Sequence, residues 1–127
     1  MKLKKLDYTI VFVSDMKRSV EFYRDVLGLP LKFESPGWSE FATGGTTLAL
    51  HLGDAINPAP SSEGITPAGS CHPGFEVPNL DAFHQKIMAS GVKCIQPPKT
   101  QDFGGRLAIY TDPDGLPLSF SEPAEKE

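Results

Sequence analysis

The side chains able to do chemistry in this 127-residue chain are few: three histidines, two cysteines and a scatter of acids and aromatics. His51, His72 and Glu76 are the candidate metal ligands, because a catalytic divalent site needs about three imidazole, thiolate or carboxylate donors and an open position. Glu76 follows His72 by two residues, so it shares a strand face with it at roughly 6.5 Å along the backbone. The alternative reading makes His72 a polar residue lining a pocket for an organic ligand, with His51 at its rim. Tyr8, whose free phenol titrates near ~10, is a hydrogen-bonding or wall residue before it is a base. Phe12, Trp38, Phe41 and Tyr110 could stack on a planar ligand, or belong to the core, and Trp38 could instead reach a dimer partner. Arg106 presents a fork suited to a carboxylate or phosphate, with a bridge to Glu76 as the structural alternative. His84 has no such neighbours and is expected to face solvent.

These residues must be carried by elements, and the elements repeat. In Leu6 to Leu29, LDYTIVFVSDMKRSVEFYRDVLGL, alternation over Tyr8 to Val13 reads as a strand. Ser14 or Asp15 caps a helix whose stripe is Met16, Val20, Tyr23 and Val26 or Leu27, and Gly28 stops it. HPGFEVPNLDAFHQKIMASGV, from His72, has the same grammar: a strand to Val77, a cap at Asn79, a stripe of Leu80, Phe83 and Ile87, and a stop at Gly91. Three strands follow the first helix: Leu29 to Glu34, WSEFAT, and TTLALHL, the last two joined by a Gly44-Gly45 turn with positive φ. After the second helix come Val92 to Gln96, a loop through Pro97 and Pro98, RLAIYT, and LPLSFSE. Asp112 and Asp114 read as parts of a DPDG turn, not as ligands.

The fold expected is α+β: paired βαβββ modules forming a cupped mixed sheet with helices on the convex face. Module one spans about 4–53, a Pro/Ser/Gly-rich linker about 54–70, and module two about 71–122, within one domain. That linker leaves open whether the modules pair within a chain or exchange between two. Alternation assigns to the cup Tyr8, Ile10, Phe12, Ala49, His51, His72, Gly74, Glu76, Arg106, Ala108, Tyr110, Ser119 and Ser121.

Composition narrows the function. Net charge −4 and pI near 5.3 provide no basic footprint for nucleic acid. No apolar run approaches the roughly 20 residues of a membrane span, and the N-terminus leads into a strand instead of a signal sequence, so a cytoplasmic protein is expected. Cys71 and Cys94 lack a CxxC spacing and read as buried or half-buried free thiols.

VSDMKRSVEFYRDVLGL, HPGFEVPNLDAF and YTDPDGLPLSF, in that order and over nearly the full length, resemble the vicinal oxygen chelate superfamily of glyoxalase, bleomycin-resistance and extradiol dioxygenase proteins. The resemblance implies a homodimer whose cup holds a small molecule and, in the enzymes, a divalent metal that polarises adjacent substrate oxygens. Its ligand positions fall on Tyr8, where His is typical; on His72, retained; on Ser119, where Glu is typical; and on Ala49 or His51. The expectation is therefore a small-molecule binder with a depleted metal site and no cofactor. A lyase or dioxygenase using Zn, Ni, Fe or Mn at His72 and His51 is the alternative.

Overall fold

The computed structural model describes residues 3–53, 71–102 and 104–124. They fall into two compact units, Met1–Ile56 and Asn57–Glu127. Each is βαβββ. In the first, β1 (Tyr8–Val13), α1 (Met16–Glu21), β2 (Leu31–Glu34), β3 (Trp38–Phe41) and β4 (Thr47–Leu52) give a sheet of order β1-β4-β3-β2. In the second, β5 (Gly74–Glu76), α2 (Leu80–Ala89), β6 (Cys94–Thr100), β7 (Arg106–Thr111) and β8 (Pro117–Glu122) give β5-β8-β7-β6. In both, the first strand runs parallel to the last and the other pairings are antiparallel. A parallel pair needs a crossover, which is the place each helix takes.

The two helices start alike. Asp15 Oδ1 accepts the Arg18 amide and Asn79 Oδ1 the Ala82 amide, each at 3.0 Å, satisfying amides that a helix start leaves without partners. They also stop alike, with Gly28 and Gly91 both at φ 79°. Between those ends they differ, because α1 widens into a π-helical turn at Phe22–Val26, where the Leu27 amide reaches the Phe22 carbonyl. Phe22 is buried beside Tyr23 at the start of that turn, three residues after buried Ser19.

Each helix covers one face of its sheet. Under α1 lie Val11, Val13, Phe41, Leu48 and Leu50, all nearly inaccessible, and the Ser39 hydroxyl donates to the Met16 sulfur at 3.3 Å. Leu52, in phase with Leu48 and Leu50, is 41% exposed at the end of its strand. Under α2 the Phe120 ring meets Phe75, Phe83 and Tyr110 at 5.2, 4.5 and 5.6 Å, closed by Leu80, Ile87 and Leu118. Among the described residues the opposite face of each sheet has no helix of its own unit on it, and we call it the open face.

Two connections depart from expectation. Pro97 and Pro98 lie inside β6, which is possible because β6 is an edge strand and its pairing shifts register between Gln96 and Lys99. Gly44 and Gly45 do not take positive φ. The connection from Phe41 to Thr47 is instead a wider loop in which Thr43 Oγ1 accepts the Thr46 amide and donates to the Thr46 carbonyl. The DPDG segment is a turn, organised by buried Asp112, whose Oδ1 accepts the amides of Asp114 and Leu116 at 2.9 Å. Gly115 turns the chain at φ 88°. The expected linker lies outside the described residues.

Candidate functional site

On the open face of the first unit, period two and the observed register bring together Tyr8, Ile10 and Phe12 of β1, Ala49 and His51 of β4, and Trp38 and Glu40 of β3. The rows across the sheet are Ile10–Ala49–Glu40 and Phe12–His51–Trp38. The rings are in mutual contact. His51 lies 5.1 Å from Phe12 and 5.8 Å from Trp38, standing at 89° to the indole. Tyr8 meets Trp38 at 6.0 Å and 65°. Those two residues sit on β1 and β3 with β4 between them, so their rings close across it, above Ala49, the small residue of the middle row, which is fully buried.

Polar contacts fix two of the rings. The Trp38 indole N–H donates to Glu40 Oε2 at 2.8 Å, and Lys32 Nζ lies 3.7 Å from the other Glu40 oxygen. The His51 Nδ1–H donates to the Leu52 carbonyl at 2.9 Å. Rings so held keep their shape when a ligand arrives, which lowers the ordering cost of binding. The sheet nevertheless leaves much apolar surface bare: Tyr8 is 43% exposed, Ile10 46% and Phe12 62%. Sequence reasoning missed Glu40, although the alternation of Trp38-Ser39-Glu40-Phe41 already places it on the Trp38 face. Phe41, a candidate for stacking, is on the other side, buried 6.0 Å from Tyr23.

The open face of the second unit is different in kind. Its rows are Gly74–Ser119–Ile109 and Glu76–Ser121–Leu107. A 2.7 Å hydrogen bond joins His72 Nε2 to Ser119 Oγ, so two of the expected site residues do converge. Glu76 stays on this face and is exposed.

Arg106, Ala108 and Tyr110 are not on it. Arg106 forms a two-pronged ion pair with Asp81 of α2, at 2.8 and 3.0 Å, and its hydrogen bonds hold the Asp81 carboxyl below the usual carboxylate range. Tyr110 is fully buried beneath α2 and shares a 2.7 Å hydrogen bond with His84 Nδ1. Burial, and to a lesser degree Cys94, pushes the Tyr110 phenol up to about 12. The reason for the correction is register: Ala108 and Tyr110 pair with Phe120 and Leu118, which face the helix, whereas Leu107 and Ile109 pair with Ser121 and Ser119. His84 accordingly faces inward, not to solvent. Cys94 is half-buried, with its thiol raised by burial, and Cys71 is exposed.

Residues 5–120 match the family model described as the Glyoxalase/Bleomycin resistance protein/Dioxygenase superfamily. The chain belongs to that superfamily. Among its relatives, the uncharacterised protein YaeR of Escherichia coli K12 is 31% identical over 94% of this chain and 97% of its own. The metallothiol transferase FosB of Staphylococcus saprophyticus is 28% identical over 89% of this chain and 73% of its own. A glyoxalase/dioxygenase of Nostoc punctiforme superposes with a TM-score of 0.82 at 23% identity, covering 96% of this chain and 92% of that one, a likeness of fold.

The divalent metal that the superfamily implies does not fit the residues present. Of the ligand positions, Tyr8 is a phenol packed edge-on to Trp38, Ala49 has no donor, its alternative His51 already donates Nδ1–H to the Leu52 carbonyl, and Ser119 is a neutral hydroxyl hydrogen-bonded to His72. Among the described residues no group of three or more His, Cys, Asp or Glu side chains converges. His72 with neutral hydroxyls, even with His51 added, falls short of the about three imidazole, thiolate or carboxylate donors a catalytic divalent ion needs. No described helix is long and apolar enough to cross a membrane.

Proposed function

We propose that this superfamily member binds a small organic molecule on the open face of its first unit, with the superfamily's metal site depleted. The observation that carries the reading is the contiguous set Tyr8, Phe12, Trp38 and His51, ring against ring and partly open to solvent, on a sheet whose other face is packed under α1. A planar ligand stacking there gains about 0.5–1.5 kcal/mol per aromatic pair beyond the area it buries. On the second unit's open face, His72, Ser119 and Glu76 are kept in the proposal as polar ligand contacts. Tyr110 and Arg106 leave it, since α2 engages both. The protein is further proposed to be a cytoplasmic homodimer.

Trp38 is the chain's single tryptophan, which makes the test direct. Titration with a panel of small aromatic compounds is expected to give saturable change in Trp38 emission and a raised melting temperature, since a ligand of the native state stabilises it. Phe12→Ala and His51→Ala are expected to weaken the same compound by roughly 3–10-fold without loss of fold. A panel that shifts neither emission nor melting would overturn the proposal.

A further inference from the structure

The ligand class can be narrowed, on the reading that the first unit's open face is the binding surface. Tyr8 and His51 both stand steeply to Trp38, at 65° and 89°, with their centroids 6.0 and 5.8 Å from it. Each of the two rings therefore forms a corner with the indole. Aromatic faces carry the negative part of a quadrupole and attract a cation placed over them. A carboxylate adds to that field: Glu40, its side chain only 22% exposed, accepts the indole N–H at 2.8 Å and so sits at the edge of the Trp38 wall. Lys32, 3.7 Å from Glu40, offsets part of the charge.

We infer that the Tyr8–Trp38–His51 corner, backed by Glu40, recognises a methylated or quaternary ammonium group attached to a small apolar body. An alkylated ammonium is the cation that matches, because its methyl groups spread the charge and shed water easily, and Ile10 and Phe12 supply an apolar rim. An anion would meet ring faces and Glu40, both repulsive. A neutral group would leave the Glu40 field unused.

The experiment is a titration of Trp38 emission with choline and, in parallel, with its neutral alcohol isostere, in which carbon replaces the trimethylammonium nitrogen. Choline is expected to bind at least about tenfold more tightly than the isostere. Glu40→Gln, which keeps an acceptor for the indole N–H, is expected to weaken choline by roughly 3–10-fold, and Lys32→Met to strengthen it by about twofold. Circular dichroism melts show that the variants fold. Equal binding of the neutral isostere, or a folded Glu40→Gln that binds choline as before, overturns the inference. If choline leaves the emission unchanged while neutral aromatic compounds still shift it, the ammonium class fails and the binding surface stands. If nothing shifts it, both fall.

Discussion

The open faces of the two units occupy equivalent places in one repeated topology and have opposite characters. Where the first unit has Ile10, Ala49 and Glu40 in a row, the second has Gly74, Ser119 and Ile109. Where the first has Phe12, His51 and Trp38, the second has Glu76, Ser121 and Leu107. The first is ring-lined and rigid; the second is narrow-chained and hydroxyl-rich along β5 and β8. Their helix-covered faces, by contrast, solve one packing problem in one way. Each unit is thus held by its covered face, and the open faces differ. In the first unit Tyr8 and Trp38 can meet across β4 because Ala49 between them is small.

If the covered faces hold the fold and the open faces do not, truncations should separate cleanly. Leu50→Ala and Leu118→Ala, each removing a fully buried side chain, are expected to lose about 2–5 kcal/mol in urea denaturation. Phe12→Ala and Ser119→Ala are expected to lose less than about 1 kcal/mol. A Phe12→Ala as costly as Leu50→Ala would place core duty on the open face and break the contrast.

The second unit's covered face carries an ionisable group whose titration reports on it. The Tyr110 phenol is raised to about 12 in the folded state against an ordinary value near 10, so the folded state holds its proton longer. The stability this contributes is fully present below pH 10 and is lost as pH rises from 10 toward about 12, on the order of 2 kcal/mol in all. Unfolding followed across that window should show a steeper fall in wild type than in Tyr110→Phe. A wild-type profile that stays flat there would put Tyr110 in water.

The two strand connections sharpen the comparison further. Asp112 holds two backbone amides of the β7–β8 turn and is buried, whereas the equivalent loop in the first unit relies on Thr43. Asp112→Ala is expected to cost about 1–3 kcal/mol by leaving those amides unmatched, and Thr43→Ala less than about 1 kcal/mol. Equal losses in thermal melts would show that the two connections are equivalent after all. The smallest effect concerns Arg106. Because Asp81 engages it on the helix-covered side, Arg106→Met should leave the Trp38 emission titration within about twofold of wild type.

Much of this architecture is legible in the chain itself. Alternation and the 3.6-residue stripe give the elements, Asp15 and Asn79 announce the helix starts, Gly28 and Gly91 the stops, and the DPDG turn is as expected. What alternation does not carry is which face a helix covers when both faces are apolar. RLAIYT is such a strand: Leu107 and Ile109 are as apolar as Ala108 and Tyr110, and only pairing to β8 shows that Tyr110 lies inside. Arg106 and His84 were unreadable for a related reason, since their partners, Asp81 and Tyr110, are distant in sequence or on another element. Pro97 and Pro98 signal a loop locally, yet an edge position makes them compatible with a strand. On the candidate site, Tyr8, Phe12, Trp38 and His51 are found together as their strand phases require, while the Glu40 contact depends on the Trp38 rotamer, which no periodicity encodes.

The proposed function rests on a depleted metal site, and metal content measures that most directly. Purified protein would be incubated in turn with Zn, Ni, Fe and Mn, freed of loosely held ion by gel filtration, and assayed by mass spectrometry alongside His72→Ala. The account predicts well under one metal per chain, alike in both proteins. One tightly held metal per chain, lost in His72→Ala, would contradict it.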